Sequence, residues 1–221
     1  MTEVKQVQAT LIGDVLGSRR SADRAQLHET LAGVLAAGNA SLTPVSALRV
    51  TVGDEFQGTF ATVGAALHAA LWLRLHLVPV ADLRHGVGWG RVEVLAAEPR
   101  VEDGPGWWAA REAIEHVKDL AARPATRTLR TAYRRSEEPD ARDGADPLAV
   151  NAALTCRDQV LGSVDGRSAA RTLRLLRGSL DGLGQHELAT QEGISASAVS
   201  QRFRRDGLGA VLAAEELMRG I

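Results

Sequence analysis

Residues 48–60 read Leu-Arg-Val-Thr-Val-Gly-Asp-Glu-Phe-Gln-Gly-Thr-Phe. Leu48 to Val52 alternates and is β-branched, as a half-buried strand requires; Gly53-Asp54-Glu55 is a turn signal, and Phe56 to Phe60 alternates again as a returning strand. The segment is a hairpin with two carboxylates at its tip. Upstream, residues 6–16, Gln-Val-Gln-Ala-Thr-Leu-Ile-Gly-Asp-Val-Leu, form an apolar strand whose end carries Asp14, and Gly17-Ser18 break it. Ser21-Ala22-Asp23 then cap a helix expected to run to about Ala37, with Leu27, Leu31, Val34 and Leu35 at helical spacing and Gly38-Asn39 closing it. Downstream, a helix is predicted from Val63 to Leu77, ended by Pro79, followed by a buried, glycine-punctuated strand from Leu83 to Gly90. The order β, α, β, β, α, β predicts an α+β, ferredoxin-like (split βαβ) fold, an antiparallel sheet with helices on one face.

The reading continues with a short strand at Val92 to Leu95, an acidic turn from Glu98 to Gly106 and a helix from Trp107 to about Ala122. Residues 134–147 are charged and nearly devoid of apolar side chains, which predicts a linker or mobile loop. The chain is thus divided into an α+β domain at 1–133, the linker, and a helical domain at 148–221. Within the last, residues 184–206 carry a short helix with Leu188-Ala189, a turn at Glu192-Gly193-Ile194 and a second helix holding Val199 and Phe203 inward. That is a helix-turn-helix arrangement.

Composition narrows the function classes. Among 221 residues, 26 basic side chains face 27 acidic ones, a formal charge of -1, so any nucleic-acid contact must be a local patch. From 148 to 221 nine arginines and no lysine meet eight acidic residues. A hydrophobic fraction of 45% excludes disorder of the whole chain. The single cysteine, Cys156, excludes a disulfide framework and a cysteine-based zinc cage, and reads as a half-buried helical thiol. No leader pattern or long apolar run is visible, so the expectation is a cytoplasmic protein without membrane contact.

Asp14, Asp54 and Glu55 each stand at a strand tip. In a split βαβ sheet the first strand and the central hairpin are neighbours, which brings Asp14 and Asp54 close. Carboxylates so placed repel unless a divalent cation bridges them, and oxygen ligands with room for phosphates suit magnesium. Two such metals would clamp triphosphate oxygens for in-line attack on the α-phosphate. The plainer reading makes these acids solvated turn residues. His85, on a buried strand, reads as a satisfied core histidine.

At this point the motifs carry a resemblance. Ala9 to Arg19, with Leu-Ile-Gly-Asp-Val-Leu-Gly-Ser, resembles the first metal-binding strand of class III nucleotidyl cyclases, and Thr51 to Phe60 resembles both their metal-binding hairpin and the GGDEF signature of diguanylate cyclases. Arg84 to Val92 is similar to the strand that follows. With Gly104-Pro-Gly-Trp-Trp-Ala-Ala-Arg111 and the C-terminal helices, nearly the whole chain resembles the SatD family. The cyclase resemblance implies Asp14 and Asp54 as ligands of magnesium, Arg111 as the catalytic arginine on the phosphate, and Gly53, Glu55 and Trp107 as nucleotide contacts. It also implies a homodimer, with the site built across two subunits. Two departures weaken catalysis: Trp107 stands where cyclases carry an asparagine, and Val50 where they carry a purine-reading lysine. Trp107 could instead stack on a base, or pack on the sheet, and Arg111 could simply pair with a neighbouring carboxylate.

The helix-turn-helix segment resembles those of bacterial regulators of the type Leu-Ala-x-x-x-Gly-Ile-Ser-x-x-x-Val-Ser. Its second helix offers Ser197, Ser200, Gln201, Arg202, Arg204 and Arg205 to double-stranded DNA, the amide for an adenine edge and the arginines for phosphates. A helix pair used only for packing is the alternative. Three readings therefore stand: a nucleotide-binding domain coupled to a DNA-binding element for transcription regulation, an active nucleotidyl transferase, and a protein-interaction scaffold.

Overall fold

The computed structural model describes residues 6–164 and 169–221. Strands β1 (Gln6–Val15), β2 (Ser46–Val50), β3 (Phe56–Phe60) and β4 (Leu83–Ala97) lie in the order β2-β3-β1-β4, every neighbouring pair antiparallel. Helices α1 (Arg24–Ser41) and α2 (Val63–Leu77) connect them. The split βαβ core expected from residues 6–90 is therefore present. The hairpin closes through Gly53 at φ 65, with Glu55 N–H donating to Val52 O at 3.0 Å.

Alternation sorts β1 and β4 into two faces. Leu11, Val15, Leu83 and Val87 share a buried cluster with Leu31 of α1 and Leu67 of α2. Ile12 instead packs on Trp107, Ala110 and Ile114 of α3 (Pro105–Ala121). The expectation of helices on one face is corrected: α1 and α2 cover one side and α3 the other. The physical reason lies in β4, where Gly86 and Gly88 let α3 close on the strand; a Cβ on either would stand 2.2 Å from the carbonyl oxygen of Ala110 or Gly106.

Four boundaries differ from expectation. α1 runs through Gly38-Asn39, because the Asn39 amide donates to Leu48 O (3.0 Å) and accepts from Leu48 N–H (2.7 Å), binding the helix to edge strand β2. β4 continues unbroken to Ala97, and part of the expected acidic turn is β5 (Arg100–Asp103), which pairs with it. After α3 the chain returns as β6 (Thr131–Arg135), parallel to β4 at residues 85–89. The stretch 134–147 begins inside β6 and is tied down by Ser136 N–H to Trp89 O (2.8 Å) and Arg135 to Gly144 O (2.9 Å).

The C-terminal helices are α4 (Pro147–Gly162), α5 (Ala169–Leu180), α6 (Gln185–Glu192), α7 (Ala196–Arg205) and α8 (Leu208–Arg219). Val150 and Leu154 of α4 and Met218 of α8 join the same buried cluster as Leu11, Phe56 and Phe60. A buried ionic network reinforces this seam. Asp158 of α4 is fully buried; it accepts from Arg74 of α2 (3.1 Å), from Arg157 (3.3 Å), and from the backbone N–H groups of Arg130 (2.7 Å) and Thr131 (2.9 Å). Cys156 is exposed on α4, not half-buried. No helix among the described residues is long and apolar enough to cross a membrane.

Candidate functional site

The acidic strand ends are engaged from above by α3. Asp14 pairs with Arg84 across the β1–β4 register, and the Arg84 Nε donates to Asp14 Oδ1 at 3.0 Å while Lys118 Nζ stands 3.6 Å from Oδ2. On the neighbouring strand Phe56 pairs with Gly13, which sets Glu55 beside Asp14. Arg111 holds the Glu55 carboxylate in a two-pronged contact at 2.7 and 2.6 Å. That hydrogen bond raises the Arg111 pKa, so its charge is permanent. Arg111, Glu115 and Lys118 recur at helical spacing on α3, and Lys118 also bonds Glu115 at 2.7 Å. Three cations and three carboxylates thus form one neutral, partly exposed cluster at the end of the sheet.

Asp54 is placed elsewhere. It lines a cleft of about 300 Å³ against α1, with Val15, Ser18, Arg24 and His28. The structure therefore joins Asp14 to Glu55, which sequence reasoning treated as the lesser acid, and directs Asp54 toward α1. Among the described residues no group of three or more His, Cys, Asp or Glu is arranged to hold a metal. Asp14 already carries two basic partners, Arg84 and Lys118, which it would have to give up to join Asp54 on the expected two-magnesium set. Gly53 is the exposed corner of the hairpin.

Trp107 is 7% exposed and packed on Ile12, Val92 and Ile114, so it offers no free ring face to a base, correcting its expected stacking role; its indole N–H is buried without a partner. Burial follows from its place at the start of α3, where Gly88 and Gly106 bring helix and sheet into contact. Trp108, one residue on, is the exposed one at 58%, and its Nε1 donates to Asp103 at 2.9 Å. His85 is fully buried as expected, but neither ring nitrogen has a partner. Arg84 and Lys118 were missed by the sequence reading. Only Lys118 had left a signal, as one of two lysines in the chain.

At the other end of the molecule, α6 and α7 meet through a left-handed Gly193 (φ 62), Ile194 and Ser195, whose Oγ accepts from Ala198 N–H at 3.2 Å. Val199 is buried against Leu175 of α5 and Leu188 of α6, with Phe203 packed alongside. Ser197, Gln201 and Arg204 stay exposed along the opposite stripe of α7. Ser200 is half-buried. Arg202 turns inward and donates to Thr172 at 3.1 Å, a correction to its expected outward role, and Arg205 pairs with Asp206 at 2.7 Å.

The family model for the SatD family matches residues 8–218. The chain belongs to the SatD family. No curated protein matches this SatD chain. Solved structures similar to part of it include a bacterial light-regulated adenylyl cyclase, 12% identical with a TM-score of 0.46, covering 60% of this chain and 44% of that one. The adenylyl cyclase CyaB from P. aeruginosa is 13% identical (TM-score 0.41, 48% of this chain and 71% of that one). The guanylyl cyclase Cya2 is also 13% identical (TM-score 0.42, 51% and 71%). The SatD chain thus spans less than half the length of the light-regulated cyclase. No activity follows from likeness at this level.

Proposed function

We propose that this SatD protein is a cytoplasmic regulator that binds double-stranded DNA through α7 and a nucleotide at the charged end of its sheet. The observation that carries the DNA half is the stripe Ser197, Gln201 and Arg204. α6 and α7 bury their apolar sides against α5, which supports reading them as a helix-turn-helix whose exposed stripe on α7 faces a major groove. Gln201 suits an adenine edge and Arg204 a phosphate or a guanine. A homodimer would present two such helices to the two halves of a palindromic site.

The nucleotide half rests on the cluster at Asp14. Arg84, Arg111 and Lys118 converge there, each now satisfied by a carboxylate, and a phosphate chain is the ligand class that would take them by exchange. No catalytic step is assigned. The transferase reading needs Asp14 and Asp54 on shared metals, and Asp14 is already held by Arg84 and Lys118.

Fluorescence anisotropy on a degenerate duplex library at about 50 mM salt tests the DNA half, since phosphate contacts are strongest there. Wild type is expected to bind, and the Gln201→Ala, Arg204→Ala variant to lose about tenfold or more. Absence of wild-type binding at that salt overturns it. Calorimetry with nucleoside triphosphates, with and without magnesium, tests the other half: binding should vanish in Arg84→Ala, Arg111→Ala, and binding that survives there refutes the assignment.

A further inference from the structure

We infer that a groove on the far side of the molecule, between α1, α2 and the ends of α5 and α8, is a second ligand site that takes a small organic anion, with Arg219 as its recognition residue. The groove encloses about 780 Å³. Its walls come from both halves of the chain: α2 contributes Thr62 at its N-cap together with His68 and Trp72, the segment after α1 supplies Thr43, and the helical half supplies Leu180 and Arg219. None of these residues belongs to the cluster at Asp14 or to α7.

Arg219 is aimed by a relay. Glu215, one turn earlier on α8 and 2% exposed, lies 2.9 Å from His68 Nδ1. An ionised carboxylate accepts only, so the hydrogen bond between them is donated by Nδ1. Arg219 Nη2 stands 2.6 Å from Nε2 and 2.9 Å from Nδ1, against the ring edge between the two nitrogens. His68 therefore sits between Glu215 and Arg219 and fixes where the guanidinium lies. Among the described residues no carboxylate is within ion-pair distance of Arg219, which is exposed and lines the groove. The anchoring is tight: Gly64 brings the last turn of α8 onto α2, and a Cβ there would stand 2.6 Å from Arg219 O.

The other walls complete an anion site. Thr62 Oγ1 accepts the Ala65 N–H at 3.1 Å, so its own hydroxyl proton is left to donate. Thr43 is the single non-glycine residue with positive φ among the described residues, at 47°, an unfavourable state for a β-branched side chain. Strain of this kind is kept where a site needs a group held in place, and here it sets a hydroxyl at the rim. The one acid on the far wall, Asp181, does not compete for Arg219: it accepts from Trp72 Nε1 at 2.9 Å and faces His76 Nε2 at 3.3 Å. Leu42, Leu180 and Trp72 give an apolar floor. A guanidinium, spare hydroxyl protons and an apolar floor match a carboxylate or phosphate group on a small apolar body. Asp181 directly follows α5 and precedes α6, so an occupant would touch the connection that carries the α6–α7 pair.

Calorimetric titration of the full chain with benzoate and, separately, inorganic phosphate tests the site. Saturable millimolar binding of at least one is expected, weakened about tenfold or more by Arg219→Ala, as loss of a charge-assisted contact requires, and unchanged in Arg204→Ala. Preference for benzoate assigns a carboxylate ligand with an apolar body, and preference for phosphate a phosphorylated one. Leu180→Trp, which fills the groove without touching Arg219, should abolish binding as well and decides the question if Arg219→Ala does not fold. No saturable binding by wild type, or binding retained in both groove variants, overturns the proposal. This outcome is independent of the DNA and nucleotide readings, whose tests use other residues.

Discussion

Asp158→Asn isolates what holds the helical half to the sheet. The carboxylate is 0% exposed and faces two buried guanidinium groups, Arg74 at 8% and Arg157 at 2% exposure. Arg74 keeps a second carboxylate, Asp82 at 2.7 Å; Arg157 keeps the neutral Thr131 hydroxyl at 2.9 Å and, as its one other carboxylate, Glu215 at 3.8 Å. Removing the charge therefore leaves Arg157 buried and nearly unpaired, a change that costs about 3–5 kcal/mol. Against a total stability of about 5–15 kcal/mol this is a large fraction. For a chain of this length it corresponds to a fall in Tm of about 6–20 °C. Denaturant unfolding followed by circular dichroism measures it, and the shared core of Leu11, Leu154 and Met218 predicts that both halves lose stability in one transition. The double variant Arg157→Met, Asp158→Asn removes the stranded charge while the Asn oxygen still accepts from the N–H groups of residues 130 and 131. It should recover at least about 1 kcal/mol relative to Asp158→Asn, the coupling expected of contacting residues. A single variant within about 1 kcal/mol of wild type, or a double variant that adds the two losses, would refute the reasoning.

His85 gives a pH-dependent prediction. Burial, followed by Arg74 and Arg157, lowers its pKa to about 3 from the ordinary 6.5. The unfolded chain therefore takes up a proton between those values while the folded one does not, so the neutral ring favours the folded state above pH 6.5 and that advantage is lost as pH falls. The loss is about 1.4 kcal/mol per unit, up to about 5 kcal/mol in all. In His85→Leu the stability difference from wild type should shift in the variant's favour by that slope between pH 6 and 4; parallel pH curves would exclude it. At Gly86, alanine would bring a Cβ to 2.2 Å from Ala110 O and 2.5 Å from Ile114 N, both backbone atoms of α3. Gly86→Ala should cost about 1–3 kcal/mol or more by denaturant midpoint, and it should weaken nucleotide binding by displacing Arg111 and Lys118. A neutral substitution would mean that α3 is not seated on β4 as described.

The expected split βαβ core appears because its signals are local. Alternation at residues 48–52 and 56–60, the Gly53 turn and helical spacing at Leu27, Leu31 and Leu35 act within a few residues of one another, so they were legible before any contact was known. The second face was harder to read. α3 takes its place through the small cross-section of Gly86 and Gly88, and a glycine in a sequence does not say which element closes on it. The end of α1 was misjudged for a related reason: Asn39 is a stop signal by local chemistry, and a bond to Leu48 nine residues away overrides it.

For the candidate sites, the sequence by itself determined which residue types are present, acids at strand tips, an arginine on α3 and a polar second helix in the C-terminal pair. Only the tertiary structure decided which of them meet. Asp54 lies in the hairpin turn and Glu55 just before β3, so the turn's geometry, and not the sequence pattern, sets Glu55 beside Asp14 while Asp54 lines the cleft against α1. On α7 the rotation set by burial of Val199 and Phe203 leaves Gln201 and Arg204 outside and draws Arg202 in. The relay from Glu215 through His68 to Arg219 joins residues 147 apart or more, and no periodicity in one chain could announce it.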